Sequence, residues 1–188
     1  KKVSKYSEKQ DVNQTQLSIL CSVNDLSDHE RKYVLPVYGE MLGGSANSIL
    51  FDDVREKNSY AYYVNAIVKS YDNLMIIYSG IENGNEENVR KIIEKSLRNI
   101  SKGNFDLDKL ESAKKTMISA IKASLDNPIG IINNYYAKIL VNSPDIEERI
   151  KNVEGVNKEE TITESWTDWI DYWSIDFDYE SKKEIIRE

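Results

Sequence analysis

The 188-residue chain has 40% hydrophobic and 30% charged residues, a globular composition that excludes an intrinsically disordered polypeptide. Its formal charge of −7 is uneven, because Asp145 to Glu188 holds fourteen acidic against six basic residues and leaves the rest of the chain near neutral. Nucleic-acid binding therefore has no electrostatic support, and no apolar run approaches the roughly 20 residues of a transmembrane helix.

In chain order, Lys1 to Asp11 is polar and charged, and reads either as an entry strand or as a loosely held arm. Leu17, Ile19, Cys21 and Val23 then recur at strict period two, the pattern of a half-buried strand. The single cysteine, Cys21, lies in that pattern and reads as a buried, inert thiol, which favours a reducing, cytoplasmic setting. Ser27-Asp28-His29-Glu30 has the spacing of a capping box and predicts a helix start. That helix carries Tyr33, Val34, Val37, Tyr38 and Met41 toward a core. It is expected to bend at Pro36 and to stop at Gly43 in a left-handed backbone.

After Gly43-Gly44, a short apolar-periodic segment with Ile49, Leu50 and Val54 predicts a second helix with a charged end. It runs into two β-rich segments, Tyr60 to Lys69 and Leu74 to Ser79, joined by the turn Ser70-Tyr71-Asp72-Asn73. Val89, Ile92, Ile93, Leu97 and Ile100 predict an amphipathic helix ended by Gly103. A further helix carries Leu107 to Leu125 and is broken by Pro128, with Gly130 as a flexible joint before an apolar-rich helix over Ile131 to Val141. Asp145 to Val153 predicts a short helix. The next begins near Lys158 and is expected to put Trp166, Trp169 and Trp173 on one core-facing stripe, followed by a last strand through Ile175, Phe177 and Tyr179. These elements predict an α+β fold, an antiparallel sheet with helices packed on one face, in a single domain over residues 1–188.

The order Gly43-Gly44, Ser48-Ile49-Leu50-Phe51, Arg55-Glu56-Lys57 and Tyr62 resembles the hallmark segment of the C-terminal half-domain of the pitrilysin/insulinase family of zinc peptidases. The resemblance is clearest over residues 12–158 and fades in the Trp-rich, acidic end. It implies the mitochondrial-processing-peptidase-like layout of that half-domain. It also implies Arg55 and Tyr62 as catalytic and substrate-binding residues that hold substrate carbonyls and the oxyanion of the tetrahedral intermediate. Tyr60, on the same strand face as Tyr62 by alternation, is expected as a substrate-binding neighbour, with a sheet edge available to an extended peptide.

A zinc site of this family needs two histidines and a glutamate in one helical motif. This chain has one histidine, His29, which reads as a solvated helix-start residue. No metal is therefore expected in this chain; zinc is expected in a partner half-domain, supplied upstream or by a second chain. The chain begins at Lys1 without Met, so it is expected to be part of a longer polypeptide. The resulting expectation is the non-metal half of a pitrilysin-like peptidase, inactive alone, with a peptide as substrate. The alternative is a non-catalytic scaffold subunit or peptide-binding module of the same fold.

Overall fold

A computed structural model describes residues 4–9, 14–23, 25–162 and 173–178. Five strands form one sheet in the order β1-β5-β2-β4-β3: β1 (Ser4–Lys9), β2 (Thr15–Ser22), β3 (Ala61–Lys69), β4 (Leu74–Ile81) and β5 (Trp173–Asp178). The β5-β2, β2-β4 and β4-β3 pairs are antiparallel; β1 and β5 are parallel, so the sheet differs from the purely antiparallel expectation at one edge. The N-terminal stretch left open between strand and arm is thus a strand over Ser4–Lys9.

The period-two pattern of β2 has the physical meaning expected of it. Leu17, Ile19 and Cys21 are buried, and opposite them on β4 lie Ser79, Ile77 and Met75, also buried. Val64 and Ala66 of β3 extend the same face. Helices from both halves of the chain cover it, contributing Val34, Leu42, Leu50, Ile93, Leu97 and Leu110 to the core.

Helix α1 spans residues 28–44 and starts at the predicted capping box. The Ser27 N–H donates to Glu30 Oε2 at 2.8 Å, and the Glu30 N–H donates to Ser27 Oγ at 3.3 Å. Pro36 neither ends nor breaks it. The turn before the proline, Glu30–Val34, is wound as a π-helix, with the Leu35 N–H donating to Glu30 O; widening the turn accommodates a residue without an N–H. Gly43 corrects the expectation of a left-handed backbone, since its φ is −159°, which any residue adopts. The need for glycine there is contact: a Cβ would lie 2.7 Å from the Ala66 backbone nitrogen and 2.9 Å from its Cβ. The end of α1 therefore rests directly on β3.

Helix α2 (residues 49–56) follows, and then β3, a 3-10 turn over Ser70–Asp72, a left-handed Asn73 and β4. Helix α3 (Glu86–Ser101) buries Val89, Ile93, Leu97 and Ile100 and ends at Gly103. There φ is +70°, and the Asn104 N–H donates to Asn99 O at 2.8 Å.

Helices α4 (Leu107–Ala123), α5 (Pro128–Val141), α6 (Ile146–Gly155) and the short α7 (Lys158–Thr161) complete the helical layer. Pro128 is the first residue of α5, where its missing donor costs nothing, and Asn127 caps the helix by accepting from the Gly130 N–H at 2.7 Å. Gly130 is thus inside α5, and the flexible joint expected of it is absent. A Cβ at that position would meet the Ser124 backbone. Beyond α7, Trp166 and Trp169 lie outside the described residues; Trp173 opens β5, so the predicted helix does not extend to it. The expected last strand is present over Trp173–Asp178. No helix among the described residues is long and apolar enough to cross a membrane.

Candidate functional site

The chain from Val54 to Tyr62 is one compact backbone knot. The Ser59 N–H donates to Arg55 O at 2.9 Å, and the Tyr60 N–H donates to Val54 O at 3.2 Å. The reversal between them needs a left-handed residue, and Ser59 supplies it with φ of +55°. Asn58 Nδ2 donates to Asp53 O at 2.6 Å, and the Tyr60 carbonyl accepts from the Glu82 N–H at 3.2 Å, so both sides of the reversal are tied down.

Helix α2, which carries Arg55, is fixed at both ends of its polar face. The Phe51 N–H donates to Ser48 Oγ at 3.4 Å. Asp53 accepts from Ser96 Oγ of α3 at 2.7 Å and from Lys57 Nζ at 2.7 Å, while Asp52 pairs with Lys109 of α4. Its buried side is Leu50 and Val54. The Arg55 side chain is 47% exposed, with Cζ 4.8 Å from the Phe51 ring centroid and Nε 4.0 Å from Glu56 Oε1. Among the described residues, no hydrogen bond occupies the guanidinium donors.

Tyr62 occupies an irregularity that its sequence does not announce. The β3-β4 register runs from Ala61 opposite Ile81 directly to Tyr63 opposite Gly80, leaving Tyr62 as the extra residue of a β-bulge. Tyr62 is 61% exposed. Tyr63 follows on the sheet face away from the core, where its hydroxyl donates to Gln16 Oε1 at 2.8 Å and its ring lies 6.1 Å from that of Tyr78. The buried Ser79 hydroxyl donates to the Tyr63 carbonyl at 2.8 Å and stabilises the irregular stretch.

Tyr60 differs from Tyr62 in setting. It precedes the strand and packs against the core in part, and the bulge removes the simple alternation that would give the two tyrosines one face. The structure therefore brings Arg55, Tyr60 and Tyr62 onto one short, hydrogen-bonded segment, and leaves Arg55 and Tyr62 open to solvent. Bulges depend on the partner strand, which is why neither the irregularity nor the role of Ser79 is readable from local sequence.

Two cavities lie among the helices, one of mixed polar and apolar lining beside α2 and a mainly polar one at the start of α1. One of about 330 Å³ lies among Asp52, Asp53, Ser96, Asn99 and Lys109, behind α2; another of about 470 Å³ is lined by Asp28, His29, Lys32, Lys138 and Asp145. Arg55 and Tyr62 line neither. His29 Nε2 is 3.1 Å from Glu160 Oε1, which joins the start of α1 to α7. Among the described residues, no three His, Cys, Asp or Glu side chains converge as a metal site, and Cys21 is buried with its thiol pushed up to about 12 by desolvation.

A profile of the peptidase M16 inactive domain matches residues 1–117. A Bacillus subtilis (strain 168) protein named "Probable inactive metalloprotease YmfF" is 30% identical over 157 residues, 82% of this chain and 37% of its own. A conserved protein from Enterococcus faecalis V583 superposes with a TM-score of 0.85 at 22% identity, over 97% of this chain and 43% of the other. The peptidase M16 inactive domain from Pseudomonas fluorescens superposes with a TM-score of 0.79 at 15% identity, over 97% and 45%. The two solved structures are similar in fold. The chain spans less than half the length of each of these relatives.

Proposed function

The chain belongs to the peptidase M16 inactive-domain family, and on that premise we propose that it serves as the non-metal half of a pitrilysin-like zinc peptidase. In this reading the zinc-bearing half lies in the same polypeptide or in a partner chain, and supplies the metal and the attacking water. This half helps enclose an extended peptide and contributes Arg55 and Tyr62, with Tyr60 beside them. It does not cleave alone.

The observation that carries the proposal is the pairing of exposure with rigidity at Arg55 and Tyr62. A guanidinium is a permanent cation with several donors, and a phenol is a directional neutral donor. Both gain most from a substrate oxygen whose negative charge grows in the transition state, provided their backbone does not have to reorganise to meet it. The Val54 to Tyr62 hydrogen bonds supply that fixed backbone. An open surface is also what one half of a site presents before the facing half closes over it. Strand β3, at the edge of the sheet, offers the place for an extended peptide to pair.

The test is cleavage of a quenched peptide by the assembled protein, with and without a zinc chelator, beside Arg55→Ala and Tyr62→Phe. The expected result is chelator-sensitive turnover that falls about 100- to 1,000-fold in either variant. Unchanged turnover in both variants would remove the catalytic role.

A second reading is a non-catalytic scaffold or peptide-binding module of the same fold. The name of one 30% identical Bacillus subtilis relative, a probable inactive metalloprotease, favours it. Absence of any cleavage by the assembled protein, together with retained peptide binding, would select it.

A further inference from the structure

Helix α5 is built inside out. Its partly covered positions are Gly130, Asn134, Ala137 and Val141, spaced four, three and four, so small or polar residues face the body of the domain. No residue of the helix is buried. The opposite side carries Ile129, Ile132, Tyr135, Tyr136, Ile139 and Leu140, between 52% and 74% exposed. The inward stripe is held by polar contacts: Asn134 Nδ2 donates to Ser124 Oγ at 2.8 Å, and Arg149 Nη1 donates to Asn134 Oδ1 at 2.8 Å. The helix is thus fixed to the domain while its large apolar side chains point away from it, the reverse of an ordinary surface helix.

We propose that the outward face of α5 is the surface on which the zinc-bearing half-domain docks. This rests on the reading of the chain as one half of a two-half protein. Six such side chains expose on the order of 700 Å² in a continuous helical stripe, close to the ~800 Å² per partner of a stable interface and larger than a monomer ordinarily leaves in water. The curated relative and both solved structures carry more than as much chain again beyond the matched part, so a second folded mass accompanies this domain in them. The one cation within the helix, Lys138, is 2.6 Å from Asp145, which leaves the stripe itself neutral and suited to an aliphatic, uncharged surface. An anionic membrane fits less well, because the chain carries a net charge of −7 and α5 lacks a basic border.

The experiment is thiol labelling of the assembled protein, containing both halves, in a Cys21→Ala background. Single cysteines are placed at Ile132 and Leu140, with Lys91→Cys on exposed α3 as the control. The expected result is labelling at least 10-fold slower at both α5 positions than at the control, at every protein concentration tried. Labelling as fast as the control overturns the proposal. So does protection that disappears on dilution as a two-copy species dissociates, which would make a second copy the occupant, and so does protection seen only with anionic phospholipid vesicles. The readout is independent of turnover: a protein that cleaves nothing yet protects α5 sinks the catalytic reading alone, and one that cleaves with α5 freely labelled sinks this proposal alone.

Discussion

The Ser79 hydroxyl donates to the Tyr63 carbonyl at 2.8 Å, a side-chain bond inside a sheet, one residue from the bulge that displays Tyr62. Ser79 is fully buried between Leu17 of β2 and Val64 of β3. An apolar residue would satisfy that environment equally well, and only the bulge calls for a hydroxyl. Ser79→Ala is therefore expected to lower stability by about 1 kcal/mol, seen as an earlier urea midpoint at unchanged slope. In the assembled protein its turnover should fall if Tyr62 is used, because the bulge is then less firmly held. An unchanged midpoint would show that the carbonyl is served without Ser79.

Gly43 makes a related demand on β3. A methyl there meets the Ala66 backbone at 2.7 Å, and backbone does not step aside as a flexible side chain does. Gly43→Ala is expected to destabilise the domain by about 1–3 kcal/mol, by lifting the end of α1 from β3. If the glycine were needed for a left-handed backbone instead, Gly43→Asn would be the mildest replacement. At φ of −159° Asn should be worse than Ala, since it is larger. Thermal melts of the two variants decide between these.

Much of this fold is legible in the sequence because its signals are local. Period two in Leu17 to Val23 and the Ser27 to Glu30 box each involve residues within one element, and so does the Val89 to Ile100 stripe. Each gives the element the structure contains. What escapes local reading depends on a second segment: the π-turn that admits Pro36, the contact at Gly43, the bulge at Tyr62 and the His29 pairing with Glu160 across 131 positions. The candidate site divides the same way. Arg55 and Tyr62 are picked out by resemblance, while the backbone knot that fixes them is visible only once Ser59 is seen at positive φ. Helix α5 is apolar in sequence, yet which side it turns inward is set by Ser124 and Arg149 on its neighbours.

Glu40 lies beside the Gly43-Gly44 turn, with Oε1 buried and without a hydrogen-bond partner among the described residues. Desolvation raises its pKa above the ordinary 4.5, against a smaller lowering by its hydrogen bond with Ser45. Between the ordinary value and the raised one, the folded state therefore holds a proton that the unfolded chain has released. Stability contributed by this group is full below 4.5 and is lost as pH rises through the raised folded value. Glu40→Gln is expected to melt higher than the parent at neutral pH and to match it more closely in acid. Chemical denaturation of both proteins across that range measures the difference. A gap that widens in acid would contradict the sign.

Cys21 sits on the core face of β2, 2% exposed, and burial pushes its thiol to about 12. Only the thiolate attacks an alkylating reagent, so in the folded protein both access and ionisation are withheld. Modification at neutral pH is expected only through unfolding, at a rate that follows urea in parallel with the fraction unfolded. Rapid modification without denaturant would mean that β2 opens locally.

Asn134 is the one polar side chain in the inward stripe of α5 that bonds on both sides, accepting from Arg149 and donating to Ser124, whose own hydroxyl donates to Ile121 O at 2.6 Å. The chain of bonds joins α4, α5 and α6. Breaking one member strands the next, so the effects of substitution should not add. Asn134→Ala and Arg149→Ala are each expected to cost about 1–3 kcal/mol. The double variant should fall short of their sum by more than the ~0.5 kcal/mol tolerated for independent sites. A double-mutant cycle by urea denaturation reads this directly. Strict additivity would mean that α5 is held by packing of Gly130, Ala137 and Val141 alone, and that its outward face is free to turn.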